Sequence, residues 1–319
     1  MQVLLTGAFG NLGSCVLDAL LERGHRVRCL DLPGKAGKKA AAGYAGRVEV
    51  VWGDIRDREL LQQAVQGVDA VIHMAAIIPP LTESQPELAW QVNVQATESL
   101  LQAAAACATP PLFVFASSFA VFGYRQSDAP PRTLHDKTIE SDHYSAQKIA
   151  CEQLIQRLAG RWCILRLGAS ADERLQHASR PVLEMMFALA ADNRVEFVHP
   201  KDVATAMANA LVTPEAHNRI HLIGGGPSCQ IRHFDMVEAM VGAMGLHFRQ
   251  QDFGDQPLYA DWADTTESQR LLQFQQHSFD WLRQTAYRKY RPVRWLLTPF
   301  SPLVRLLMLR LFGPQRQRH

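Results

Sequence analysis

The sequence lacks the clustered cysteines that a metal site or a disulfide framework needs. Its six cysteines, Cys15, Cys29, Cys107, Cys151, Cys163 and Cys229, are scattered, with no C-x-x-C pair. No zinc or other metal site is expected, no disulfide-stapled scaffold either, and free thiols suit a reducing, cytoplasmic setting. No leader is expected either, because Met1 is followed almost at once by what reads as a core strand. The first 280 residues carry no basic face and no basic stretch interleaved with aromatics, which argues against nucleic acid as a partner. Acid is absent from the other end. From Trp281 onward there are nine Lys/Arg and no Asp/Glu, so with a net charge of +2 the first 280 residues carry about −7.

What is there is the material of an ordinary globular protein. With 319 residues, 47% apolar and 20% charged, the chain has length for two domains and a large core. Val3-Leu4-Leu5 is a short apolar run ending in Thr6-Gly7-Ala8-Phe9-Gly10-Asn11-Leu12-Gly13, and from Ser14 to Arg23 the apolar spacing turns helical. Strand, glycine loop and helix in that order let the backbone turn sharply and approach a pyrophosphate at the helix N-terminus. A second strand, Arg26 to Leu30, ends in Asp31, eighteen residues beyond Gly13. A carboxylate there accepts both hydroxyls of an adenosine ribose and repels a 2′-phosphate, so NAD is expected rather than NADP. Lys35, Lys38 and Lys39 read as solvated loop residues.

Strands and helices continue to alternate: Val48 to Trp52, a helix to Gly67, Ala70 to Ala76, a proline-containing loop from Ile77 to Pro86, a helix from about Pro86 to Cys107, and Leu112 to Ala116. Such alternation specifies an α/β fold with a parallel sheet covered by helices on both faces. Ligands bind at the carboxyl ends of its strands, where Gly7, Asp31, Asp54, Ala75 and Ser118 fall.

Beyond that last strand stands Tyr144-Ser145-Ala146-Gln147-Lys148, twenty-six residues after Ser118. On a helix, Tyr144 and Lys148 share a face. A fixed cation there favours the phenolate and is expected to draw the phenol, normally near ~10, toward working pH. A hydroxyl from Ser118 could hydrogen-bond the same substrate oxygen.

Together these stretches resemble the extended short-chain dehydrogenase/reductase family, which includes sugar-nucleotide epimerases, dehydratases and hydroxysteroid dehydrogenases. The resemblance covers roughly residues 1–280. It is carried by T-G-A-F-G-N-L-G, Asp31, G-D-I-R-D, H-M-A-A, V-N-V around Asn93, S-S-F-A-V-F-G, Y-S-A-Q-K, I-L-R-L, F-V-H-P-K-D-V-A and D-T-T-E-S-Q. It implies a Rossmann-type doubly wound sheet over residues 1–170 with 197–223, and a smaller substrate domain from 171–196 and 224–280. By that resemblance Tyr144 is the general acid/base, Lys148 its partner and a ligand of the nicotinamide ribose, and Ser118 the hydroxyl that orients substrate. The cofactor would be NAD, held by Gly7, Phe9, Gly10, Asn11, Leu12, Gly13, Asp31, Asp54, Ile55, Ala75, Ala76 and Asn93 together with Tyr144 and Lys148. Asn93 reads as a helix-to-strand tie rather than a catalytic group, His73 as a strand-end residue packed under the loop, and His135 and His143 as loop residues. A homodimer through the helices from Asn93 to Cys107 and Tyr144 to Leu158 is implied as well.

Departures from the family's patterns narrow the chemistry. Where members that eliminate water from a sugar place Asp-Glu, this chain has Phe119 and Ala120, which speaks against a 4,6-dehydratase. The asparagine that follows the L-R strand in sugar-nucleotide enzymes is missing, since the chain reads Leu165-Arg166-Leu167-Gly168. Their glycine-rich, arginine-bearing loop is replaced by Ala190 to Glu196, with a compact helix from Val182 to Ala190 before it. Little room is left for a uridine diphosphate, although Arg174, Arg180 or Arg194 could meet an anion. Gly224-Gly225-Gly226 reads as the tight exit from an edge strand.

The expected activity is NAD-dependent oxidation of a hydroxysteroid-like, lipidic or small sugar-acid secondary alcohol, or the reverse reduction. A nucleotide-sugar epimerase with tightly bound NAD and a non-catalytic NAD-binding sensor remain the alternatives. The stretch 281–319 is a basic, apolar extension. Its apolar run reads as too short and too interrupted by charge to span a membrane, and Pro292, Pro299 and Pro302 as breaking it into short pieces. Residues 287–313 suit either peripheral contact with an anionic membrane at its inner face or packing on the body or a dimer mate.

Overall fold

The computed structural model describes residues 1–171 and 180–314. Among these residues ten strands follow one another: β1 (Gln2–Thr6), β2 (Arg26–Asp31), β3 (Glu49–Trp52), β4 (Ala70–His73), β5 (Leu112–Ser118), β6 (Trp162–Leu167), β7 (Ala169–Ser170), β8 (Arg194–Val198), β9 (Arg219–Ile223) and β10 (Gln230–Arg232). Seven of them form one sheet in the order β3-β2-β1-β4-β5-β6-β9, parallel throughout.

The two-residue period of a strand sorts each apolar run between two cores. Val3 and Leu5 of β1, Ile72 of β4 and Val114 of β5 face one side, where the helices Asn11–Glu22 and Pro200–Ala210 cover them. Leu4, Val71, Phe113 and Phe115 face the other, beneath the helices Arg58–Ala64, Ala96–Ala105 and His143–Leu158. Nearly all of these side chains are fully buried, so truncating one such as Leu4 to alanine would cost about 2–5 kcal/mol. The expected doubly wound α/β sheet is therefore present. Its strand order reverses between β1 and β4, which opens a crevice beyond their carboxyl ends.

A second sheet, β10-β8-β7, carries the smaller layer. Of its strands, β7 ends at the boundary expected at 170 and β8 crosses the one expected at 196. At Ile223, β9 does end as an edge strand, and a Cβ on Gly224 would stand 2.3 Å from the Glu196 side chain.

Several local expectations change. Lys35, Lys38 and Lys39 are exposed but lie on a helix, Lys35–Ala42, not in a loop. His143 opens the helix His143–Leu158, which Asp142 caps by accepting from Ser145 N at 2.7 Å. The helix expected from Pro86 to Cys107 is Pro86–Trp90, a π-helical turn Gln91–Gln95, and Ala96–Ala105. In the extension the prolines do not break the chain apart. Each stands in the first turn of its segment, Arg291–Leu297, Thr298–Phe300 or Ser301–Phe312, where its missing N–H costs no bond. The three run on as 22 helical residues, Arg291–Phe312, long and apolar enough by length and composition to cross a membrane.

Candidate active site

The first wall of the crevice is the loop after β1. Gly7 has a φ of +69°, a conformation that side chains disfavour, and a Cβ there would lie 2.9 Å from the Ala75 nitrogen. A Cβ on Gly13 would fall 2.0 Å from the Gly7 carbonyl oxygen, so only glycine lets the helix approach the strand end this closely. No side chain caps that helix at Gly10, as suits a helix end that meets an anion. Asp31 sits at the lip, its carboxylate accepting from Phe9 N and Leu32 N at 2.8 Å each.

A cleft of about 410 Å³ lies between these groups, lined by Gly7, Gly10, Asp31, Asp54, Ile55, Ala75 and Ala76 among others. Phe9 and Leu12 are not part of its lining. The Phe9 ring lies 5.4 Å from that of Trp52, and Leu12 packs on the core, so both anchor the loop. Asn11 is exposed at the first helical position.

Asn93 does not line the cleft either. Its amide accepts from Ile77 N at 2.7 Å and donates to Ile77 O and to Gln147 Oε1, at 2.8 and 2.7 Å. It is the tie, joining the loop after β4 to the helix of Tyr144, and the π-helical turn aims it there. His73 is packed as expected, bridging Thr6 and Thr97 at 2.7 and 2.8 Å. Burial, with Lys148 nearby, lowers its pKa to about 3, so the ring is neutral. His135 is exposed in its loop.

Ser118, Tyr144 and Lys148 come together at the carboxyl end of β5. The Ser118 hydroxyl stands near enough to the Tyr144 phenol to draw its pKa down, and accepts from Ala120 N at 3.1 Å. Lys148 Nζ lies 5.7 Å from the Tyr144 ring centroid and donates to the Ala116 carbonyl at 2.7 Å. The electrostatics differ from the sequence expectation. Burial pushes the phenol up to about 12, with the Ser118 hydroxyl drawing it back, and no lowering by Lys148 is resolved. The ammonium is itself brought down to about 8 by burial, held up by Cys151 and Glu152. With the protein alone around them, desolvation outweighs the neighbouring cation.

Sequence reasoning missed several residues around this core. Tyr259 packs its ring 6.4 Å from Tyr144 and 6.3 Å from Tyr124, so three tyrosines make one aromatic wall. Glu83 accepts from Tyr144 N at 3.3 Å at the start of the helix. Glu152 accepts from Ser117 Oγ at 2.5 Å and from Arg166 Nη2 at 2.7 Å, bracing β5 and β6 from behind. Only Glu152 had a sequence signal, lying one further turn along the Tyr144 and Lys148 face.

The positions expected to carry an acid and a base for dehydration, Phe119 and Ala120, are buried among apolar side chains. Of the arginines expected near an anion, Arg194 is committed to Asp261, at 2.6 Å, and to the Asp128 carbonyl. Arg180 pairs with Glu184, and Arg174 lies outside the described residues. No metal cluster occurs among the described residues.

The donor set fits NAD. A glycine cradle with no room for a Cβ, a helix end without a side-chain cap and a carboxylate at the ribose position are what a dinucleotide asks of a protein. Among known proteins, the chain is 31% identical over 159 residues to a 3 beta-hydroxysteroid dehydrogenase/Delta 5-->4-isomerase of Mycobacterium tuberculosis, covering 48% of this chain and 42% of that one. It is 32% identical over 174 residues to a D-erythronate dehydrogenase of Cupriavidus necator, covering 50% and 51%. The chain thus spans about half the length of the curated relatives it matches. Among solved structures, a short-chain dehydrogenase/reductase superfamily protein from Agrobacterium tumefaciens with bound NAD superposes with a TM-score of 0.74 at 22% identity, over 95% of this chain and 100% of that one. A UDP-glucuronic acid 4-epimerase from Bacillus cereus, in complex with UDP-glucuronic acid and NAD, gives 0.76 at 21%, over 93% and 100%. These two show a shared fold. The model of the NAD dependent epimerase/dehydratase family matches residues 3–224, well over half of the chain, and this protein belongs to that NAD-dependent family.

Proposed function

We propose that the protein is an NAD-dependent dehydrogenase or reductase that interconverts a secondary alcohol and its ketone, on a hydroxysteroid-like, other lipidic or small sugar-acid substrate. The observation that carries this is the gathering of the Tyr144 phenol, the Ser118 hydroxyl and, 5.7 Å from the Tyr144 ring, the Lys148 ammonium at the open end of β5. Bound NAD would supply the acceptor for hydride from the carbinol carbon. Tyr144 takes the hydroxyl proton as the carbon–oxygen double bond forms, and returns it in reduction. Ser118 holds the same oxygen. Lys148 stabilises the phenolate while it exists and would hold the nicotinamide ribose, while Asp31 would hold the adenosine ribose and the glycine loop the pyrophosphate. Asp54 and Ile55 would flank the adenine, and Ala75 and Ala76 the diphosphate side.

Two features support an apolar or small substrate. The wall formed by Tyr124, Tyr144 and Tyr259 offers ring faces next to the reacting oxygen. Arg194, which could have met a diphosphate, is consumed by Asp261. Relatives named as a hydroxysteroid dehydrogenase and a sugar-acid dehydrogenase agree with this range. The same reading carries a homodimer through the outer faces of the helices Ala96–Ala105 and His143–Leu158.

Absorbance at the reduced-nicotinamide band tests the proposal, with purified protein, NAD and a panel of sterols, sugar acids, polyols and sugar nucleotides. A signal with a sterol or a sugar acid is expected. Silence across the panel, with NAD retained through purification, would replace the dehydrogenase with an epimerase that cycles its cofactor internally.

A further inference from the structure

The 22 helical residues Arg291–Phe312 divide their surface unequally. One side packs on the smaller domain, where Leu297, Val304, Met308 and Leu309 meet the cluster of Phe187, Val237 and Phe253. Both charges inside the apolar stretch point to that side. Arg305 donates to Asp252 at 2.7 Å, and the Arg294 guanidinium lies 4.9 Å from the Tyr287 ring centroid. The opposite side is therefore free of charge from Pro292 to Leu309. It presents Trp295, Leu296, Phe300, Leu303, Leu306 and Leu307, with Trp295 84% and Leu306 67% exposed. So long a contiguous apolar face is too costly to leave in water.

We infer that this face seats the protein on a lipid bilayer bearing anionic headgroups, with the helix lying in the plane of the interface. The charges at its ends select this occupant. Arg288, Lys289 and Arg291 stand exposed at one end and Arg310 at the other, and no acid occurs from Trp281 onward. A second copy placed on the same face by a two-fold axis would bring these cations together with no carboxylate from the extension to meet them. Anionic headgroups meet them directly, while the side chains between enter the acyl boundary. The helix lies flat because its other side is held by Asp252 and the Phe187 cluster. At 1.5 Å per residue it lays down about 33 Å of apolar edge. The helix Arg180–Ala188 packs beside it and shows Val182 and Met185 to solvent, so the smaller domain itself adjoins the membrane. The inference rests on this surface alone and holds whichever substrate the active site takes.

Flotation of the full chain with vesicles tests it, comparing pure phosphatidylcholine with an equal mixture of phosphatidylcholine and phosphatidylglycerol. The protein is expected to float with the anionic vesicles and to be released by high salt. Leu303→Glu/Leu306→Glu should weaken flotation by roughly a hundredfold, since both side chains would leave the acyl boundary. NAD affinity and the circular dichroism spectrum of the variant should be unchanged, which separates loss of docking from loss of fold or of cofactor binding. Failure to float with either vesicle would overturn the inference. So would a dimer in light scattering that the double substitution dissolves, which would make a second copy the occupant, or resistance to extraction by alkaline carbonate, which would make the helix a span.

Discussion

Tyr144 and Lys148 are both buried, and burial disfavours the charged form of each, with opposite consequences for their protons. The phenol, near 12, is protonated at neutral pH, and the ammonium, near 8, is charged there. In the proposed reaction, carbonyl reduction would find its acid and its stabilising cation ready, and kcat/KM for reduction should fall as pH rises through about 8, where Lys148 loses its proton. Lys148→Met should give a low rate without that falling limb; an unchanged limb in the variant would assign it to another group. His73 makes a separate prediction about stability. Its folded pKa of about 3 is below the 6.5 of the unfolded chain, so below pH 6.5 the unfolded chain binds a proton that the folded ring refuses. Stability from this residue is complete above 6.5 and is lost at about 1.4 kcal/mol per pH unit as pH falls. His73→Gln should have a shallower acid limb in denaturant titrations, although buried His221 and His233 leave part of it in place. Parallel limbs would contradict the assignment. Ser118, Tyr144, Lys148 and Asp31 were legible in the sequence because each is fixed by a local pattern. Tyr259 and Glu83 were not, because only tertiary folding brings them to Tyr144.

The element that shapes the cofactor cleft is the turn from β1 into the helix Asn11–Glu22, and its glycines differ in what they do. Gly13→Ala would drive a Cβ to 2.0 Å from the Gly7 carbonyl, forcing helix and strand apart. A loss of about 1–3 kcal/mol in stability is expected, together with weakened NAD binding in a fluorescence titration. Gly34→Ala, which meets nothing within 4 Å, should change neither. Unaltered NAD affinity in Gly13→Ala would remove the close approach as a requirement. Strand, glycine loop and helix were legible here because apolar period and glycine spacing are local signals. The π-helical turn around Asn93 was not, since it is set by ties to Ile77 and Gln147, sixteen and fifty-four residues away in sequence. The extension was misjudged for the opposite reason: three prolines read as breakers, yet in the first turn of a helical segment proline breaks nothing.

In the whole molecule, the reversal of strand order between β1 and β4 gathers the glycine loop, Asp31, Ala75 and the Ser118, Tyr144 and Lys148 group at one edge of the sheet. Parallel alternation made that edge predictable before any contact was known. The smaller domain was harder to read, because its sheet is assembled from two- to five-residue strands taken from three places in the chain. Its long-range contacts were not legible either: Arg194 pairs with Asp261, sixty-seven residues away in sequence, and the Tyr259 ring comes to Tyr144. In the proposed function, Tyr144 moves the proton of an NAD-dependent redox reaction. The most direct measurement compares Tyr144→Phe with the unaltered protein in two assays, turnover of the best alcohol or ketone and NAD binding by calorimetry. Turnover is predicted to fall by about 10²–10⁴-fold with NAD affinity retained. Full turnover in the variant would contradict the account, because the proton would then be moved by another group.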